Sequence, residues 1–175
     1  VHIHMVIFSS DPKEGFLTKQ GIRDVKAAFA RQIFQQDLLH VYEQKTEYRN
    51  TLQQDAGERM AELIVQMQRG DAANEHLAAF TEELAQMLQA TKGKKVYGYL
   101  PPRVKSVVDA IVDELARDAR VAVAYDLWNQ MREETCRIYS ETLPERLPLS
   151  RQKEFKSVRN MVIREALRLT LDGIQ

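Results

Sequence analysis

Pro101-Pro102-Arg103-Val104-Lys105-Ser106-Val107-Val108-Asp109-Ala110-Ile111-Val112-Asp113-Glu114-Leu115 decides the fold class. Its apolar residues Val104, Val107, Val108, Ile111, Val112 and Leu115 recur at three- and four-residue spacing. That period lines one stripe of an α-helix and scatters across both faces of a strand. The paired prolines open the helix, where a missing N–H costs little. Toward the C-terminus, Asp118 is placed to cap a second helix with Val121, Ala124, Tyr125, Trp128, Met131 and Tyr139 on its inner face. Leu143 to Leu149 reads as an extended connector. Ser150 reads as the N-cap of a last helix that buries Phe155, Val158, Val162, Ala166 and Leu169.

The same period runs back toward the N-terminus. A helix from Asn74 puts Leu77, Phe80, Leu84 and Leu88 on one face, and Gly70 ends the segment before it through a left-handed cap. That segment carries Met60, Leu63, Ile64 and Met67; further back lie Ile22, Val25, Phe29 and Ile33, behind Thr18 as N-cap. No proline falls between Pro12 and Pro101, so this region reads as one very long helix or two with a joint near Asp37 or Gly57. The expected architecture is mainly α, with five to seven helices. One strand is expected before them, in Val1-His2-Ile3-His4-Met5-Val6-Ile7-Phe8. Three regions follow: 1–10, the terminal strand; 11–91, the long helical part; and 92–175, with a basic loop and a basic last helix.

Composition bounds the function. The chain has 175 residues, 7 Gly and 5 Pro, which suits long helices with few turns. Lys+Arg and Asp+Glu both number 25, so net charge is silent on nucleic acid and any such signal must be local. The single Cys136 excludes an internal disulfide framework, fits a reducing, cytoplasmic setting, and is expected to be a buried thiol. No apolar run approaches the ~18 residues of a membrane span, and no signal peptide is visible. Arg69-Gly70-Asp71 spells an integrin-binding tripeptide, but nothing else in the chain points outside the cell.

Three features could carry chemistry. His2 and His4 lie on the same face of the expected strand and could share a divalent cation, or could simply be strand residues. His40 and His76 read as ordinary helical histidines. The run from Lys92 to Lys105 holds Lys92, Lys94, Lys95, Arg103 and Lys105 with no acidic residue, interleaved with Tyr97 and Tyr99. Lysines neutralise phosphates and tyrosines stack on bases; the bland alternative is a solvated loop with tyrosines packed between helices. The last helix sets six Lys/Arg against two Glu between Arg151 and Arg168. Asp113 and Glu114 are adjacent and diverge on a helix, so they make no acid/base pair. No Walker loop, dinucleotide fingerprint or nucleophile elbow is present.

Taken together, three stretches resemble the MobL-type (MobP class) relaxases of mobile elements. Val1 to Val6 resembles the strand that carries the last two histidines of the relaxase metal site. KGKKVYGYLPPRVKSVVDAIVDELARD (Lys92 to Asp118) and LPLSRQKEFKSVRNMVIREAL (Leu147 to Leu167) resemble the helical region. The resemblance implies a DNA strand transferase in which a histidine cluster holds a divalent metal ion, Mg, Mn or another. The metal polarises the scissile phosphate and a tyrosine attacks it. It carries over His2 and His4 as two of three metal ligands. The family's third histidine and nucleophilic tyrosine lie upstream of this strand, so the chain is expected to be a C-terminal portion with no catalytic residue of its own. Lys92, Lys94, Lys95, Tyr97, Tyr99, Arg103, Lys105, Arg151, Lys153 and Lys156 are then expected to contact single-stranded DNA at a transfer origin. The rival readings are a helical module that docks other transfer proteins, and a nucleic-acid-binding domain without metal.

Overall fold

The computed structural model describes residues 18–70, 73–139 and 142–172, together with positions 6, 8, 10, 11 and 13. Six α-helices follow in order: α1 Lys19–Ile33, α2 Gln35–Arg69, α3 Glu75–Ala90, α4 Pro102–Leu115, α5 Ala119–Tyr139 and α6 Lys156–Asp172. Short 3-10 turns cover Tyr97–Tyr99, Leu149–Arg151 and Lys153–Phe155. The architecture is mainly α, and no strand occurs among the described residues. The strand expected at Val1–Phe8 lies outside them except for Val6 and Phe8, which have no strand assignment and are exposed.

Local chemistry sets the helix ends. Thr18 Oγ1 accepts from the Gly21 N–H at 3.0 Å, and Asn74 Oδ1 from the Leu77 N–H at 2.9 Å. Each satisfies one of the orphan donors of a first turn. Gly70 closes α2 at φ 75°, a conformation that costs a Cβ-bearing residue about 1 kcal/mol or more. Pro102 opens α4 as its first residue. Asp118 Oδ1 accepts from the Arg120 N–H at 3.0 Å at the start of α5.

The joint between α1 and α2 is the single residue Phe34, three positions before Asp37. Gly57 lies inside the unbroken α2. Ser150 is not the cap of α6. It sits in the Leu149–Arg151 turn, six residues before α6 begins, and its N–H and hydroxyl both donate to Asp113, each at 2.9 Å. A carboxylate on another helix outcompetes the local capping role.

The 35-residue α2 is the spine, roughly 50 Å long at ~1.5 Å per residue. It packs along α5 and α6, while α3 packs on α4 and α6. One apolar core joins these helices: Leu52, Ala56, Met60 and Leu63 of α2, Leu84 and Leu88 of α3, Val108, Ile111 and Val112 of α4, and Val162 and Ile163 of α6. Trp128 of α5 is fully buried, with Phe155 edge-on at 4.9 Å and Tyr125 stacked at 6.1 Å. The Tyr125 hydroxyl donates to the Leu147 carbonyl and Arg132 to that of Glu145, which fastens the 143–148 connector along α5. Burial raises the Tyr125 pKa. Cys136 is half-buried rather than buried, and its thiol donates to the Thr142 carbonyl at 3.2 Å. The α1 stripe is the exception to the packing: Ile22, Phe29 and Ile33 are exposed, and the buried residue of that helix is Ala30.

Candidate nucleic-acid interface

The basic loop begins where α3 ends at Thr91, whose N–H still bonds the Met87 carbonyl. Gly93 turns the chain at φ 92°, and the strand-like Val96 leads into the Tyr97–Tyr99 turn. Leu100, only 3% exposed, plugs the loop into the core just before the prolines of α4. With one residue between them in this tight turn, the two tyrosines take different environments.

Tyr97 points inward. Its hydroxyl donates to Asp109, 2.8 Å from both carboxylate oxygens, and its N–H donates to Asn160 Oδ1 of α6 at 3.0 Å. The Arg159 guanidinium lies 4.4 Å from the centre of its ring and the Lys105 ammonium 5.7 Å. Burial raises the Tyr97 pKa, and the Asp109 carboxylate adds to the rise by accepting the phenolic proton and repelling the phenolate. Lys105, Asp109 and Asp113 recur four residues apart and so share one face of α4. Lys105 donates to the Gly98 carbonyl at 3.2 Å, Asp109 takes Tyr97, and Asp113 takes Ser150.

Tyr99 points outward. It is 71% exposed, with the Lys94 ammonium 5.6 Å from its ring centre and Val96 exposed three positions before it in the same loop. Lys92, Lys94, Arg103, Arg151, Lys153 and Lys156 are exposed, and Lys95 and Lys105 are half-buried. None of these eight cations makes an ion pair among the described residues. Ion pairs gather elsewhere, around Arg59 and Arg120 with Glu58, Glu62 and Asp118, and around Arg146 with Asp126 and Glu133.

The two basic stretches meet through residues that sequence reasoning did not assign. Arg159 stacks on Tyr97 and donates to the Ser150 carbonyl at 2.8 Å, and Asn160 holds the Tyr97 backbone. The loop between α3 and α4 is therefore fastened to the first turns of α6. The signal available in sequence was the position of Arg159 and Asn160 one turn into a basic helix, which does not say what they touch. His2 and His4 lie outside the described residues. His40 is exposed on α2 and His76 is exposed on α3, with its ring edge-on to Phe80. Among the described residues no group of three His, Cys, Asp or Glu could hold a metal ion.

The fold and these side chains define a helical protein whose basic loop carries an exposed tyrosine and lysines that form no ion pair among the described residues. A family model described as MobL relaxases matches residues 1–173, and the chain belongs to that family. No curated protein and no solved structure matches it. Family membership places its function in relaxase-dependent mobilisation. No helix among the described residues is long and apolar enough to cross a membrane.

Proposed function

We propose that this chain holds a single DNA strand at a transfer origin while a relaxase nicks and transfers it. The observation that carries the reading is Tyr99, projecting from a loop whose lysines, like Arg103 in the first turn of α4, form no ion pair among the described residues. An exposed aromatic face stacks on any unpaired base, and unpaired cations follow the phosphates. Lys92, Lys94, Lys95 and Arg103 are the phosphate contacts, extended by Arg151, Lys153 and Lys156 at the head of α6. Tyr97 and Lys105 act from beneath, by fixing the loop to α4 and α6.

His2 and His4 are proposed as two ligands of the divalent cation that relaxases use, in a cytoplasmic setting. The described residues supply no donor set that fits such an ion, so no step of the reaction is assigned to them. Strand cleavage by a tyrosine is likewise assigned to neither Tyr97, whose hydroxyl is taken by Asp109, nor Tyr99. The rival reading, a helical module that docks other transfer proteins, is favoured by the exposed apolar stripe of α1.

The test is anisotropy of a labelled single-stranded oligonucleotide over a salt series. Replacing Lys92, Lys94, Lys95 and Arg103 with Ala should weaken binding alike across sequences. It should flatten the log K against log salt slope by about 0.7 for each phosphate left without its cation. Unchanged affinity assigns the loop to packing, and indifference of the unaltered protein to DNA favours the docking module.

A further inference from the structure

A second group of cations surrounds the buried indole of Trp128. Lys45 and Arg49 are four residues apart on α2 and therefore share a face. Arg132 is one turn past Trp128 on α5. The Lys45 ammonium lies 5.4 Å from the Trp128 ring centre and the Arg132 guanidinium 5.8 Å from the same point. Lys45 and Arg49 are half-buried.

These three charges have almost no partners. Lys45 and Arg49 make no hydrogen bond or ion pair among the described residues, and the Arg49 Nε is buried with nothing to accept its proton. Arg132 has a single bond, to the Glu145 carbonyl at 3.0 Å. Glu154, from the turn before α6, is the acidic group that acts on Lys45, and it makes no ion pair with it. Burial lowers the Lys45 pKa, and repulsion from Arg132 and Arg49 lowers it further against the pull of Glu154. The other half-buried arginine on α2, Arg59, is met by Asp118 and Glu62. Contact with an aromatic face offsets part of the cost of crowding like charges, but it accepts no N–H. Three donor-only side chains, of which Arg132 alone has an acceptor and that a backbone carbonyl, suit a tetrahedral oxyanion, which offers each of them an oxygen.

We propose that Lys45, Arg49 and Arg132 form an anion site at the junction of α2 and α5, and that its ligand is a phosphate group. The group is either a free phosphate or a phosphodiester of bound DNA; the second case rests on the function proposed above. Trp128 is the sole tryptophan of the chain and reports the site by its own fluorescence. Inorganic phosphate, titrated against chloride at constant ionic strength, should change its emission along a saturating curve. Phosphate should also raise the melting temperature. Lys45→Gln and Arg49→Gln should each abolish both responses. A wild-type emission that follows phosphate and chloride alike overturns the proposal, as does a saturating response that survives in both variants. The wild-type titration decides even if a variant fails to fold. If a single-stranded oligonucleotide gives the same emission change and competes with phosphate, the ligand is a phosphodiester. If phosphate alone acts, the site takes a free phosphate. A missing phosphate response beside intact DNA binding at Lys92–Arg103 rejects this site and leaves the DNA face standing.

Discussion

Tyr97 and Tyr99 should separate stability from binding when each is altered alone. Tyr97→Phe keeps the ring against Arg159 and removes only the O–H that Asp109 accepts at 2.8 Å. A hydrogen bond to a charged acceptor contributes about 1.5–3 kcal/mol. Both partners are half-buried, so water recovers part of that, and about 1–2 kcal/mol is expected. In a chain of this length each kcal/mol lowers the melting temperature by roughly 2–4 °C. Affinity for single-stranded DNA should hardly move. Tyr99→Ala should do the reverse. Its ring is 71% exposed, so stability should stay within about 0.5 kcal/mol. Removing one stacked base costs ~1–3 kcal/mol of binding, or roughly 5- to 150-fold in Kd. Urea unfolding and anisotropy on the same two proteins make the comparison. If Tyr99→Ala binds DNA like wild type while Tyr97→Phe loses affinity at unchanged stability, Tyr97 and not Tyr99 is the residue that meets DNA.

Further outcomes follow from the same geometry. The Tyr97 pKa is raised in the folded state, so its bond stabilises fully below the unfolded value, near ~10, and is lost as pH rises through the folded one. The stability gap between wild type and Tyr97→Phe should therefore be flat up to about pH 10 and close above it, as read by unfolding at stepped pH. Gly57→Ala should stabilise by about 0.5–1 kcal/mol, because Gly57 lies inside α2 and an added Cβ meets nothing within 4 Å. Gly70→Ala should instead cost roughly 1 kcal/mol, since its φ is 75°; denaturant midpoints test both. Trp128→Ala empties the centre of the aromatic cluster and should cost about 3–5 kcal/mol in urea unfolding.

The sequence by itself determined most of the helices and their ends. The stripe from Val104 to Leu115, the caps at Thr18 and Asp118, the helix start near Asn74, the proline start of α4 and the glycine stop of α2 are local events. Each is decided within a turn or two of chain, so residue type and spacing suffice. The density of cations in Lys92–Lys105, with no acidic residue among them, was legible for the same reason. What the tertiary structure alone decided is everything that joins residues distant along the chain. Ser150 looks like a helix cap until Asp113, 37 residues away, accepts both of its donors. The α1 stripe has the period of a buried face yet stays largely exposed, because periodicity says where a stripe lies and not whether anything covers it. Tyr97 and Tyr99 sit in one basic loop and look equivalent in sequence. Asp109, Arg159 and Asn160 draw the first inward and leave the second in solvent. Lys45, Arg49 and Arg132 look like ordinary surface cations in sequence. Only the packing of α2 on α5 brings Lys45 and Arg132 over one buried ring, with Arg49 close enough to repel Lys45. Pairings of this kind depend on how helices cross, and helix crossing is set by the shape of the whole core rather than by any one stretch of chain.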